Sequence, residues 1–138
     1  MNRLFTSVLF LNFLLSWSAM ADAPPALKDN MNAIGKLVKS ITLAVNDKTK
    51  NAASAAQAKQ LEQLFTAVLA QEPDTIPQMP PEQQAPALAQ YKTLIQQEIT
   101  DCQRLETAFT TNDNASATTI LQDMQNDKST GHDKFKKD

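Results

Sequence analysis

Few residues in this sequence could bind a metal or drive polar chemistry, and they are widely spaced. There is one histidine, His132, in the stretch KSTGHDKF, and one cysteine, Cys102. With these counts the chain has no CxxC and no HExxH, and it is short of ligands for zinc. It has no EF-hand loop and no glycine-rich phosphate loop, and nothing marks an activated serine. Glu98 and Glu106 do not recur as the Glu-x-x-His pairs of di-iron bundles. One combination remains, an imidazole with a thioether, which together can occupy both axial positions of a haem iron. Past the N-terminal segment the methionines are Met31, Met79 and Met124. Met124 precedes His132 on the same helical run, so the two cannot approach opposite faces of one haem. Met79 falls in a proline-rich stretch, which leaves Met31.

The N-terminus stands apart from these positions. MNR is a short positive start, LFTSVLFLNFLLSW is an apolar run, and SAMA ends in small residues. This pattern predicts a cleaved secretory signal over residues 1–21, too short and too polar for a comfortable membrane span. Cleavage after Ala23 is the less favoured alternative. The predicted mature chain, residues 22–138, is one small domain without Arg3, with 12 basic against 15 acidic residues and a formal charge of −3. It has no basic patch for nucleic acid and no polybasic membrane anchor. The only tryptophan, Trp17, goes with the signal. A single cysteine allows no internal disulfide, so packing or a bound ligand must hold the fold.

The elements that would position His132 and Met31 are helices. Apolar residues recur at steps of three and four in four runs. The first is Leu27, Met31, Ile34, Val38, Ile41, Val45, with Pro24 and Pro25 suiting its first turn. The second is Ala58, Leu61, Phe65, Val68. The third is Leu88, Tyr91, Ile95, Ile99, Cys102, Leu105, Phe109, and the fourth is Ala117, Leu121, Met124, Lys128, Gly131, Phe135. The breaks are NDKTKN (46–51), a proline-rich loop (72–86) and TTNDN (110–114). No segment reads as a strand. The expected fold is all-α, an antiparallel up-down-up-down four-helix bundle. In that topology the start of helix 1 and the end of helix 4 share one end. Met31 is then roughly 9 Å and His132 roughly 7 Å from that end, at 1.5 Å per residue. On residues alone the pairing stays open, because a methionine on a helical stripe is ordinary core filler and a histidine near a chain end is ordinary surface.

ALKDNMNAIGKLVKSI, residues 26–41, resembles the opening helix of the cytochrome b562 family, in which a Leu-x-Asp-Asn-Met run supplies the methionine ligand. Here those positions are Leu27, Asp29, Asn30 and Met31. AAQAK (55–59) is similar to the start of that family's second helix, and the proline-rich loop falls at the same place. From Tyr91 to His132 the spacing fits without a gap. The family's histidine ligand falls on His132, followed by a similar basic and aromatic tail, DKFKK. The loop between helices 1 and 2 is several residues longer here. Related bundles of the cytochrome c-prime type carry C-x-x-C-H in the last helix. Here the five residues are Lys128, Ser129, Thr130, Gly131 and His132, with both thiols missing. The resemblance therefore implies one non-covalent b-type haem per chain, ligated by Met31 and His132.

Helical spacing supplies the walls such a group would meet: Leu27, Ile34 and Gly35 around Met31; Met124, Lys128 and Phe135 around His132; Phe65 and Val68 from helix 2; Tyr91 and Ile95 from helix 3. Lys128 and Lys136 can pair with propionates or remain solvated surface lysines. Cys102 reads as a small buried apolar residue. The family pattern carries a tyrosine where this chain has Gly131 and an asparagine where it has Gly35. These glycines either clear room for a flat macrocycle or leave a looser, wetter pocket. The expected role is one-electron transfer in the periplasm between unidentified redox proteins, by a monomer that is not an enzyme and is not inserted in a membrane. The rival is a non-redox helical bundle that stores haem or binds chains without a cofactor.

Overall fold

The computed structural model describes residues 25–136. The expected signal segment, 1–21, lies outside the described residues. Four helices run in sequence: α1, Leu27–Ala44; α2, Asn51–Leu69; α3, Pro81–Thr110; and α4, Asn114–Phe135. The described residues contain no strand, and the expected four-helix bundle is what forms. Short 3-10 turns at Lys48–Lys50 and Ile76–Gln78 lie in the first two connections. The helix 1 stripe holds from Ile34 to Ile41, and Val45 stays buried just beyond the helix end.

The helix boundaries differ from the sequence reading by one or two residues at several ends, and by more at the start of α3: α1 ends at Ala44, α2 at Leu69, α3 takes in Thr110 and α4 opens at Asn114. The break at 46–51 ends one residue early, because Asn51 opens α2. The proline-rich loop, expected to reach residue 86, ends at Pro80. Pro80 and Pro81 start α3, where a missing N–H costs nothing. Pro86 lies inside the helix. Its ring withholds one hydrogen bond from a first-turn carbonyl on an exposed stretch, where water can replace it.

α3 is the spine, 30 residues long. It packs most extensively on α2, while α1 lies on α2 and α4 lies on α3. The fourth side, α1 against α4, has few contacts. The core runs through Ile41, Leu61, Phe65, Leu105 and Phe109. Along α4 it stops early: Ala117, Ile120, Leu121 and Met124 are buried, but no later residue of the helix is. Lys128, read in the inward run, is exposed, and Gly131 and Phe135 are half-buried.

Candidate functional site

The rotation of α1 about its axis decides where Met31 points. Asn30 is buried, and its Nδ2 donates to Gln71 Oε1 at 3.3 Å, while Gln71 Nε2 donates to the Pro25 carbonyl at 2.9 Å. About three turns further on, Gln57 Nε2 donates to Ser40 Oγ at 3.0 Å. These contacts hold the Asn30–Ser40 flank of α1 against α2. At about 100° per residue, Met31 and Gly35 fall on the other side of the buried stripe, the flank toward α4. Met31 is half-buried and packs on the edge of the core.

α4 is oriented by the same logic. Its Asp127 flank faces α3, where Asp127 feels the charge of Asp101 and in turn acts on Glu98. Lys128, His132 and Lys136, spaced four apart, therefore run along the opposite flank, toward α1. His132 lies roughly 80° from the line of Met124, Gly131 and Phe135. It is exposed rather than turned into the core, and helical spacing puts it on the α4 flank toward α1 and not at the bundle centre. Partial burial, then the charges of Lys136 and Lys128, hold the imidazole pKa below its ordinary value, with Asp133 opposing. That favours the neutral ring, the form that ligates metals.

One loop fixes both helix ends. Gln71 grips the start of α1, and four residues later Thr75 Oγ1 donates to the Phe135 carbonyl at 3.0 Å. Met31 is then the fifth residue of α1, and His132 is three residues from the end of α4. Both lie about one turn from the same end of the bundle, closer to it than the sequence estimate.

Beneath the seam lies an apolar floor. Ile34, Phe65, Val68, Ile95 and Met124 are buried. Tyr91 is buried too. Its hydroxyl donates to the Val68 carbonyl at 2.9 Å, and burial pushes its pKa up to about 12. Phe135 meets the Tyr91 ring edge-on, with centroids 5.6 Å apart and planes at 75°. Leu27 is half-buried at the same edge, and Lys136, like Lys128, is exposed. A Cβ added at Gly35 or at Gly131 would meet no atom within 4 Å. Space is therefore open beside each candidate ligand. A half-buried thioether, a neutral imidazole on the facing flank and apolar side chains below suit a flat apolar macrocycle with an iron at its centre.

Sequence reasoning missed the residues that aim the site. Asn30 sits one turn before Ile34 on the inward stripe, and a polar residue at an inward position was the available signal for its tie to Gln71. It also missed Glu98, which is 7% exposed and whose Oε1 has no hydrogen-bond partner among the described residues. Burial, Asp127 and Asp101 raise its pKa to about 8. Nearby Asp101 is 1% exposed and accepts from Arg104 Nη1 at 2.6 Å and from Gln97 Nε2 at 3.1 Å. Cys102 is fully buried, as read, and burial raises its thiol pKa far above the ordinary value.

A family model described as cytochrome b562 matches residues 26–136, which is nearly all of the described chain. No curated protein and no solved structure matches.

Proposed function

The chain belongs to the cytochrome b562 family, which makes it a b-type haem electron-transfer protein, and from that premise we propose that Met31 and His132 are the axial ligands of one non-covalent haem seated in the α1–α4 seam. What supports this reading is that both residues stand about one turn from the same end of the bundle, on flanks of α1 and α4 that helical spacing turns toward each other. When bound, the haem supplies a one-electron couple at its iron. The residues of the chain do the rest. His132 offers a neutral nitrogen, kept so by burial and the neighbouring lysines. Met31 offers a thioether, which favours the ferrous state and raises the potential. Tyr91, Phe135, Ile34 and Met124 would exclude water from the inner edge, and Lys128 and Lys136, exposed beside His132, would pair with the haem propionates. Held by both residues, the iron would keep no position for a substrate, which fits a carrier. The N-terminal sequence supports a periplasmic location. No helix among the described residues is long and apolar enough to cross a membrane.

Haem titration of the apo-protein tests this. The wild type is expected to give sharp low-spin bands on reduction, and reversible reduction separates a carrier from a haem store. His132→Ala is expected to lose stoichiometric binding or to leave a weak high-spin complex, since no other imidazole exists. Met31→Ala is expected to bind haem in a high-spin form with a lower potential. An unchanged low-spin spectrum in His132→Ala overturns the assignment. So does a Met79 or Met124 variant that behaves as Met31→Ala should.

A further inference from the structure

The net charge of this acidic chain is a poor guide to its redox partner, because the exposed charges that α1 and α4 set along the candidate seam are mainly lysines. On α4, Lys128 and Lys136 flank His132 at four residues on either side, one helical turn away on the same flank. On α1, Lys28, Gly35 and Lys39 share the outer edge of the flank that carries Met31, by the same 100° spacing. All four lysines are exposed, and none is in an ion pair among the described residues. Of the carboxylates of these two helices, Asp29 falls on the α2 side of α1 and Asp123 and Asp127 on the α3 side of α4 by the same spacing, and Asp133, next to His132, is the one acid near the α4 lysines. Four lysines against two propionates still leave a positive rim. Gly35 lowers that rim, since it carries no side chain that would hold a partner away.

We infer that the α1–α4 rim is the docking surface for a redox protein that presents a cluster of carboxylates, with Lys28 and Lys39 on one edge and Lys128 and Lys136 on the other. This rests on the haem assignment above for its role in electron transfer, though not for the charge of the surface. Steering of this kind raises encounter rates at low salt and fades as salt screens it.

The test compares two double variants of equal net charge, Lys28→Glu/Lys39→Glu on the rim and Lys59→Glu/Lys92→Glu on α2 and α3. The ferrous holo-protein is mixed with anionic hexacyanoferrate(III) or with cationic tris(phenanthroline)cobalt(III), after a spectrum confirms that each variant holds haem. With the anion, the rim variant is expected to lose roughly tenfold in rate at low ionic strength, while the α2–α3 variant stays near the wild type. With the cation the rim variant is expected to gain. An equal loss in both variants, or no loss in either, overturns the inference. A second readout needs no haem: a glutamate-rich peptide titrated into the apo-protein is expected to shift the amide resonances of Lys28, Gly35 and Lys39. Shifts centred on α2 or α3, or none at all, also overturn it. If haem fails to bind, the peptide result alone decides the docking surface, so failure of one reading is not mistaken for failure of the other.

Discussion

The two ends of the bundle are built differently. At the end where α1 stops and α4 begins, side-chain amides tie the connections together. Asn114 Nδ2 donates to the Val45 carbonyl and to Asn51 Oδ1, and Asn51 Nδ2 donates to Asn112 Oδ1 at 2.9 Å and to Asn114 Oδ1 at 3.0 Å. Asn112 takes the left-handed backbone that ends α3, with φ 58°, and Asp113 caps α4 by accepting from the Ser116 amide at 3.0 Å. Ile41, Leu105, Phe109 and Ala117 are fully buried beneath this network. At the Met31–His132 end, α1 and α4 are held by Gln71 and Thr75, but they scarcely touch each other. The last three turns of α4 contain no buried side chain. The buried acids supply one physical cause. α4 leaves the core at Asp127, where Asp127 and Asp101 face the buried carboxyl of Glu98, and keeping that carboxyl protonated opposes closer packing. The closed end has its contacts within the chain, whereas the open end has contacts left for a ligand to make.

The largest expected effect comes from exchanging a ring at each end. Phe109→Ala is expected to cost about 3–5 kcal/mol with or without haem. Phe135→Ala in the apo-protein is expected to cost about 1 kcal/mol, the scale of one aromatic pair on a half-buried site. Urea unfolding of both variants measures this, and equal losses would erase the contrast between the ends.

Glu98 gives the next effect. Its pKa is raised on folding from 4.5 to about 8, so the folded state holds a proton that the unfolded chain releases. The resulting stability is full below about pH 4.5 and is lost as pH rises toward 8, by up to ~1.4 kcal/mol per unit of pH. Glu98→Gln is expected to remove that slope. Parallel pH curves for variant and wild type would show that the buried carboxyl does not weaken the α3–α4 contact.

Gly35→Ala is the smallest change. An added methyl meets no atom, so apo stability is expected to rise by about 1 kcal/mol from helix propensity alone. If the glycine clears room for the macrocycle, haem affinity falls at the same time. Unchanged affinity in a spectroscopic titration would make the position one of simple drift.

Much of this was legible in the sequence, because an amphipathic helix writes its buried face into its spacing. Ile34, Val38 and Ile41, or Leu61, Phe65 and Val68, follow directly from steps of three and four. The end of α4 was misread for the same reason. Lys128 and His132 sit at helical spacing from Met124, but spacing cannot tell where a neighbouring helix ceases to cover a stripe. The start of α3 was hidden by its prolines, which serve equally as loop residues and as first-turn helix residues. Asn30, Gln71 and Thr75 act through contacts between distant segments, 41 residues apart for the first pair, which no local pattern records. The Met31–His132 pairing needed the resemblance as well as the spacing.

Hydrogen exchange on the apo- and haem-bound forms tests most directly the claim that the cofactor completes the open end. Amides from Leu27 to Gly35 and from Asp127 to Phe135 are expected to exchange rapidly in the apo-protein and to gain protection when haem binds. Amides around Ile41, Ala55, Leu105 and Ala117 are expected to be protected in both. Equal protection along α4 in the two forms would contradict the account, and would mean that the bundle closes without its cofactor.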